Sequence, residues 1–295
     1  MTHAEATDLF IPVAGGDLHA LSWGDDGPLL IAVHGITASA VSIQPLADRL
    51  AGDFRIVAPD LRGRGGSAAL PGPYGMKAHA GDIVAILDHL GEARAVVLGE
   101  SMGGYVAVQL AVSYPERVDR LVLVDGGLPL AVPAAALADP DATTAAILGP
   151  ALARLRMTFP SREQYRAFWQ DHPALRDVWN PYLDEYVDAD LTGTAPELRS
   201  VVSEEAVVSD GRDQLVNEDL RRLSAISCPV TLVRAGRNLM NEPTPLFSDA
   251  SVAESAAAIP QLVDISAPTF NHYSLMLTDD GADVVTDAVL TARGA

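Results

Sequence analysis

The segment Gly99-Glu100-Ser101-Met102-Gly103 is where the residue types and spacing of this chain point to chemistry. It reads G-x-S-x-G. A β-branched run, Ala95-Val96-Val97-Leu98, leads into it, and a run of small and apolar residues from Gly104 to Ala111 leads out. Strand, tight turn and helix in that order hold a serine in a strained backbone, its hydroxyl at the top of a sheet and near the positive end of the helix. The flanking glycines let the chain turn without Cβ clashes. An unassisted serine is a weak nucleophile, so it needs a base and donors for a developing oxyanion. One donor is offered by His34-Gly35-Ile36-Thr37, which follows an apolar run ending at Val33. The glycine admits a substrate close to the backbone, and the N–H of Ile36 can then face a carbonyl oxygen. The N–H of Met102, just after the serine, is the second donor. His34 itself reads as a structural residue of its loop.

These groups need a scaffold, and the hydrophobic pattern supplies one. Short apolar runs recur at 29–33, 55–58, 95–98, 120–124, 230–233 and 261–265. Such near-continuous runs fit strands covered on both faces. The pieces at 9–13 and 18–23 alternate instead, and Gly15-Gly16-Asp17 between them reads as a hairpin turn. Ala80, Ile83, Val84, Leu87 and Leu90 form one helical stripe, with Gly91 as its stop. Strands alternating with helices predict an α/β fold with a mostly parallel sheet and right-handed crossovers. Residues 126–227 break that rhythm. They are helical in pattern, Ala-rich from Ala131 to Ala146, and carry Phe159, Tyr165, Phe168, Trp169, Trp179, Tyr182 and Tyr186. This stretch reads as a helical cap (lid) inserted over a core made of residues 1–125 and 228–295.

A third motif, Asp60-Leu61-Arg62-Gly63-Arg64-Gly65-Gly66-Ser67, follows the run ending at Ala58. With it the chain resembles the α/β-hydrolase superfamily, whose members often carry H-G after strand 3, D-x-R-G-x-G-x-S after strand 4 and G-x-S-x-G after strand 5. All three stand here in that order, and the resemblance covers essentially the whole chain. It implies an α/β-hydrolase fold, a mostly parallel eight-stranded sheet flanked by helices, with the cap inserted after strand 6. The Asp60–Ser67 type of loop is chiefly structural in that family, so Arg62 is not expected to be a catalyst. The family places its general base on the loop after the last strand, where this chain has Phe270-Asn271-His272-Tyr273. Of seven histidines, only His272 holds that position. His79 and His89 read as surface or packing residues, and His172 as a cap residue able to touch substrate.

The acid of the implied triad has two candidate locations. The usual one follows the strand at 230–233, in a turn that here reads Gly236-Arg237-Asn238-Leu239-Met240-Asn241-Glu242. Asn238 stands where a carboxylate is common. A neutral amide can orient an imidazole but cannot stabilise imidazolium by charge. Glu242 is a carboxylate slightly further on. A minority of the family uses the end of the preceding strand, where Asp125 follows Leu121-Val122-Leu123-Val124. The order Ser101, Asp125, His272 satisfies the Ser…Asp/Glu…His rule. Asp125 is the expected acid and Glu242 the alternative.

The resemblance then implies a serine hydrolase that cleaves a carboxylic ester or lactone with an apolar body through an acyl-enzyme. Trp169, Trp179 and Tyr182 of the cap are expected to supply an apolar substrate wall. A serine at the elbow excludes the family's epoxide hydrolases and haloalkane dehalogenases, which use aspartate there. Carbon–carbon bond hydrolases and cofactor-free perhydrolases of the same fold remain alternatives. From another class, so does a ligand receptor on this fold with little turnover. The chain lacks H-E-x-x-H, a cysteine cluster and a dinucleotide-type G-x-G-x-x-G, so neither metal nor cofactor is expected.

Bulk properties narrow the partners. At 295 residues, 48% hydrophobic and 20% charged, the chain has material for a sizeable core. A net charge of −19 repels phosphate backbones and anionic membrane surfaces, so neither nucleic acid nor membrane is expected, and the small-molecule partner is what the resemblance implies. The lone Cys228 rules out an intrachain disulfide and reads as a buried, inert thiol. Residues Met1 to Asp8 lack a basic and then apolar leader pattern, and no apolar run reaches bilayer length, so a cytoplasmic protein is expected. The sequence sets no oligomeric state.

Overall fold

Eight strands form one sheet in the computed structural model, which describes residues 3–293. Met1, Thr2, Gly294 and Ala295, placed in the core by the sequence reading, lie outside the described residues. The strands are β1 Thr7–Val13, β2 Gly16–Trp23, β3 Leu29–Val33, β4 Arg55–Pro59, β5 Ala95–Glu100, β6 Val118–Val124, β7 Val230–Arg237 and β8 Leu262–Asn271. Their spatial order is β1-β2-β4-β3-β5-β6-β7-β8. Pairs involving β2 are antiparallel, and all others are parallel. The fold is that of the α/β hydrolases, as expected. Two boundaries differ from the sequence reading. Val13 pairs with Gly16, so the hairpin turn is Ala14-Gly15, and β8 runs on past Ile265 to Asn271. The longer β8 delivers His272 straight from the end of a strand.

The apolar runs are continuous because both sheet faces are covered. On one face Ile31, Val97 and Leu121 pack with Ile83 and Val106, from α2 (Met76–Leu90) and α3 (Met102–Ser113). On the other, Leu30, Leu98 and Val122 pack with Leu46 and Val285, from α1 (Gln44–Leu50) and the C-terminal helix Asp279–Arg293. Successive residues thus alternate between two cores, as strand geometry requires. Gly91 ends α2 in the left-handed conformation, with φ 71°.

Between β6 and β7 the chain runs through six helices, α4 Ala134–Leu137, α5 Pro140–Leu148, α6 Pro150–Ala153, α7 Arg162–Gln170, α8 Pro181–Ala189 and α9 Glu204–Val216. Their starts are set by side-chain caps. Ser161 accepts from Gln164 N, Asn180 from Tyr182 N and Leu183 N, and Ser203 from Ala206 N. Tyr165, Trp169 and Tyr186 bury into the same apolar cluster as Leu98 and Val124, so this segment packs on the sheet rather than standing apart. The remaining helices are α10 Asp249–Ala258, α11 Ser274–Leu277 and α12 Asp279–Arg293. Among the described residues, no helix is long and apolar enough to cross a membrane.

Candidate active site

Ser101 sits between β5 and α3 with φ 53° and ψ −118°, a backbone that L-residues rarely adopt. Its N–H donates to Val124 O at 2.9 Å, tying the turn to β6. Gly103 is required by close approach, since a Cβ there would lie 2.0 Å from Val33 O. Without one, α3 passes hard against the end of β3 and brings Met102 and the 34–37 loop together. Met102 is the first residue of α3, where backbone N–H groups have no partner within the helix.

His272 lies in the turn between β8 and α11, 4% exposed. Asn271 fixes this turn. Its Oδ1 accepts from the N–H groups of Tyr273 and Ser274, and its Nδ2 donates to Ala174 O in the cap segment. The Nδ1 of His272 stands 2.7 Å from Asp125 Oδ2. Asp125 follows β6, is 1% exposed, has φ 45°, and its Oδ1 accepts from Ala235 N at 3.1 Å. Burial works against an imidazolium at His272. The hydrogen bond and charge of Asp125 outweigh that penalty, Glu100 adds to them, and the pKa is held above its ordinary value. Glu242, the alternative acid, is elsewhere. Its Oε2 accepts from Asn238 Nδ2 at 2.9 Å in a turn closed on itself.

The 34–37 loop is held from below. His34 donates from Nδ1 to Gly35 O and accepts the Leu61 N–H at Nε2, which defines its neutral tautomer. Burial pushes its pKa down to about 4, consistent with that state. Arg64, fully buried, donates from Nε to Ile36 O at 3.0 Å and pairs through Nη1 with Asp210 Oδ2 at 2.5 Å. Asp210 belongs to α9 and also meets His79 Nε2 at 3.0 Å and Gly75 N. Burial opposes ionisation of Asp210, but His79 and Arg64 outweigh it and bring the pKa down to about 2. That stabilisation is complete above the ordinary carboxylate range and is lost as pH falls toward 2. This buried ion group joins the cap segment to the loop carrying Ile36. Removing one partner of such a group strands the others, so Asp210→Asn is expected to cost about 3 kcal/mol in urea unfolding. A cost under about 1 kcal/mol, the range of an exposed pair, would contradict that role.

Two adjoining cavities meet at Ser101, Ile36, Leu148 and Leu239. The first reaches His272, Glu100 and Tyr186. The second runs past Tyr105 and Asp125 toward Leu246 and Phe247. The expected aromatic wall is a correction, because none of its three members lines either cavity. Trp169 is fully buried under the Arg154 guanidinium, 4.9 Å from the ring centroid. Trp179 donates to Asp184, and the Tyr182 hydroxyl donates to Asp48 Oδ2 at 2.8 Å, far down the flank. Those three aromatics serve packing, while Tyr186 of the same segment and Tyr273 line the first cavity. His172 meets Tyr273 edge-on, with centroids 5.5 Å apart, and lines neither cavity. His79 is neither surface nor inert packing but part of the buried ion group. Glu100 reads in the sequence as a packing or hydrogen-bonding residue with no assigned role, and it lines the first cavity. The signal for it was an acid immediately before the nucleophile. Among the described residues, no cluster of His, Cys, Asp and Glu is placed to hold a metal ion.

A sequence model of the family described as the alpha/beta hydrolase fold matches residues 28–194. The chain belongs to the α/β-hydrolase family. The match in this α/β hydrolase includes Ser101, Asp125 and the Ile36 loop, while His272 lies beyond it. Lipase LipV of Mycobacterium tuberculosis is 35% identical over 182 residues, which is 59% of this chain and 62% of LipV. N-formylmaleamate deformylase of Pseudomonas putida is 40% identical over 121 residues, 38% of this chain and 45% of that protein. The chain thus spans less than two thirds of the length of these relatives. Among solved structures, E-2-(acetamidomethylene)succinate hydrolase superposes with a TM-score of 0.82 at 22% identity, over 99% of this chain and 100% of that one, a likeness of fold.

Proposed function

We propose that this α/β hydrolase is a serine hydrolase acting on a carboxylic ester or lactone with an apolar body, through a Ser101–His272–Asp125 triad. The observation that carries the reading is the 2.7 Å contact between His272 Nδ1 and Asp125 Oδ2, in a cavity shared by His272 and the strained Ser101. Asp125 holds the imidazole with Nε2 free to act as base. His272 takes the proton from Ser101 Oγ as that oxygen attacks the carbonyl carbon. The N–H groups of Ile36 and Met102 receive the charge that develops on the carbonyl oxygen. His272 returns its proton to the departing alkoxide. A water, deprotonated by the same histidine, then cleaves the acyl-enzyme and restores the serine.

The apolar body of the substrate is supported by the cavity walls. Leu130, Ile147, Leu148, Leu215, Leu239 and Phe247 dominate the second cavity. Residues 126–227 act in this reading as a lid that supplies several of them. Relatives named a lipase and a deformylase share acyl transfer as their chemistry, and the apolar walls favour the ester.

The test is active-site labelling with a fluorophosphonate, alongside p-nitrophenyl esters from acetate to octanoate. Mass mapping should place the adduct on the peptide containing Ser101, and turnover should rise with acyl length before it falls. An unlabelled protein that hydrolyses no ester or lactone, or an adduct on another serine, would overturn the reading.

A further inference from the structure

Glu100 is a carboxyl group that the mechanism above does not use. It ends β5, next to Ser101 in sequence, and its Oε1 stands 3.5 Å from His272 Nε2. Its other oxygen packs on Gly35, where an added Cβ would lie 2.6 Å from Oε2, and it takes a backbone hydrogen bond there. The carboxyl therefore spans from the base to the loop carrying Ile36, and it faces the first cavity.

One carboxylate and one imidazole, already paired with each other, stand beside it. Asp125 approaches from the end of β6 and His272 from the turn before α11. Tyr186 of α8 and Tyr273 line the same cavity, and the charge of Glu100 adds to the burial that holds both phenols up. Neither cavity beside Ser101 is lined by a lysine or arginine. Arg154 lies behind Tyr186 and Tyr273, where it is committed to Asp190 at 3.0 Å and to Thr37 O. A substrate carboxylate entering this cavity would meet a like charge and no free cation.

We propose that Glu100 makes this a cavity for esters of uncharged acids and excludes esters whose acyl group carries a second carboxylate. The inference rests on the ester-hydrolase reading and names the substrate class within it. Burial pushes Glu100 up to about 7, helped by Asp125, while His272 and the Gly35 hydrogen bond pull it back. The exclusion is therefore weak below neutrality, where Glu100 is protonated and can donate a hydrogen bond, and full above it.

The experiment compares methyl butyrate with monomethyl succinate, esters of four-carbon acids that differ in a terminal methyl against a carboxylate. Methanol release is followed from pH 6 to 8.5 in wild-type protein and in Glu100→Gln. The ratio of the two kcat/KM values is read, so changes common to both substrates cancel. At pH 8.5 the wild-type ratio should favour butyrate by about 100-fold, and it should fall about tenfold by pH 6. In Glu100→Gln it should be about 10 or less and flat with pH. A purely structural Glu100 would leave the ratio and its pH profile unchanged in the variant, which would overturn the proposal. Binding of butyramide and succinamate to Ser101→Ala, by calorimetry at both pH values, gives the same comparison without turnover. If methyl butyrate is not cleaved while butyramide still binds more tightly than succinamate at pH 8.5, the ester reading fails and the charge selection stands. Equal binding of the two amides at pH 8.5 sinks the charge selection whatever the turnover.

Discussion

Ser101→Ala is expected to lower ester turnover by about 10⁶-fold, the loss seen when a triad nucleophile is removed from a serine hydrolase. Without Oγ no acyl-enzyme forms, and His272 has no hydroxyl to activate. What persists is direct attack by water on a carbonyl still polarised by the Ile36 and Met102 N–H groups, about 10³–10⁴ above the uncatalysed rate. The substitution removes one oxygen from a cavity wall and leaves the 53° φ in place, so the melting temperature should hardly move. Substrate affinity should persist too, since the apolar walls are untouched. A variant with more than about 1% of wild-type turnover would place the chemistry on another residue.

The acid gives the second large effect. Asp125→Asn should lower kcat by about 10⁴, because an amide at that distance favours the wrong imidazole tautomer and offers no charge to the imidazolium. Glu242→Gln should leave kcat at the wild-type value, as its carboxylate is engaged with Asn238. The pH profile separates orientation from charge. In the wild type kcat/KM should rise with pH as His272 loses its proton, with a midpoint above the ordinary 6.5. In Asp125→Asn, burial acts with only Glu100 to oppose it, and the midpoint should move down. Equal losses in the two variants, or a loss confined to Glu242→Gln, would remove Asp125 from the triad.

The parts of this site legible in the sequence are those built by local geometry. Ser101 needs only a strand, two glycines and a helix, all within a short span, and the 34–37 loop is set by the end of one strand. His272 is expected from likeness to a family, and the long β8 ends directly at it. Asp125 could only be ranked against Glu242, since the choice depends on how β6, β7 and β8 lie side by side. Other features were hidden for physical reasons. Arg64 and Asp210 meet although 146 residues separate them, and neither carries a local pattern. Aromatic content reports burial but not which side of a side chain is buried, so Trp169, Trp179 and Tyr182 were assigned to the cavity when packing had claimed them. Glu100 occupies the free position of the serine motif. Its importance comes from the His272 ring opposite, which the motif does not describe.

An acid at the end of β6 also changes the standing of the turn after β7. Asn238 Oδ1 accepts from the N–H groups of Met240 and Glu242, and Asn241 takes φ 62°, so the turn holds its own shape. Leu239, Leu246 and Phe247, in or beyond that turn, face the substrate cavities. With the proposed acid at the end of β6, the turn after β7 is left to contribute cavity wall. Substitutions at Leu239, Leu246 and Phe247 can therefore reshape the cavity wall without touching Asp125, whereas Asn241, which accepts from Asn271 Nδ2 beside His272, has to be kept.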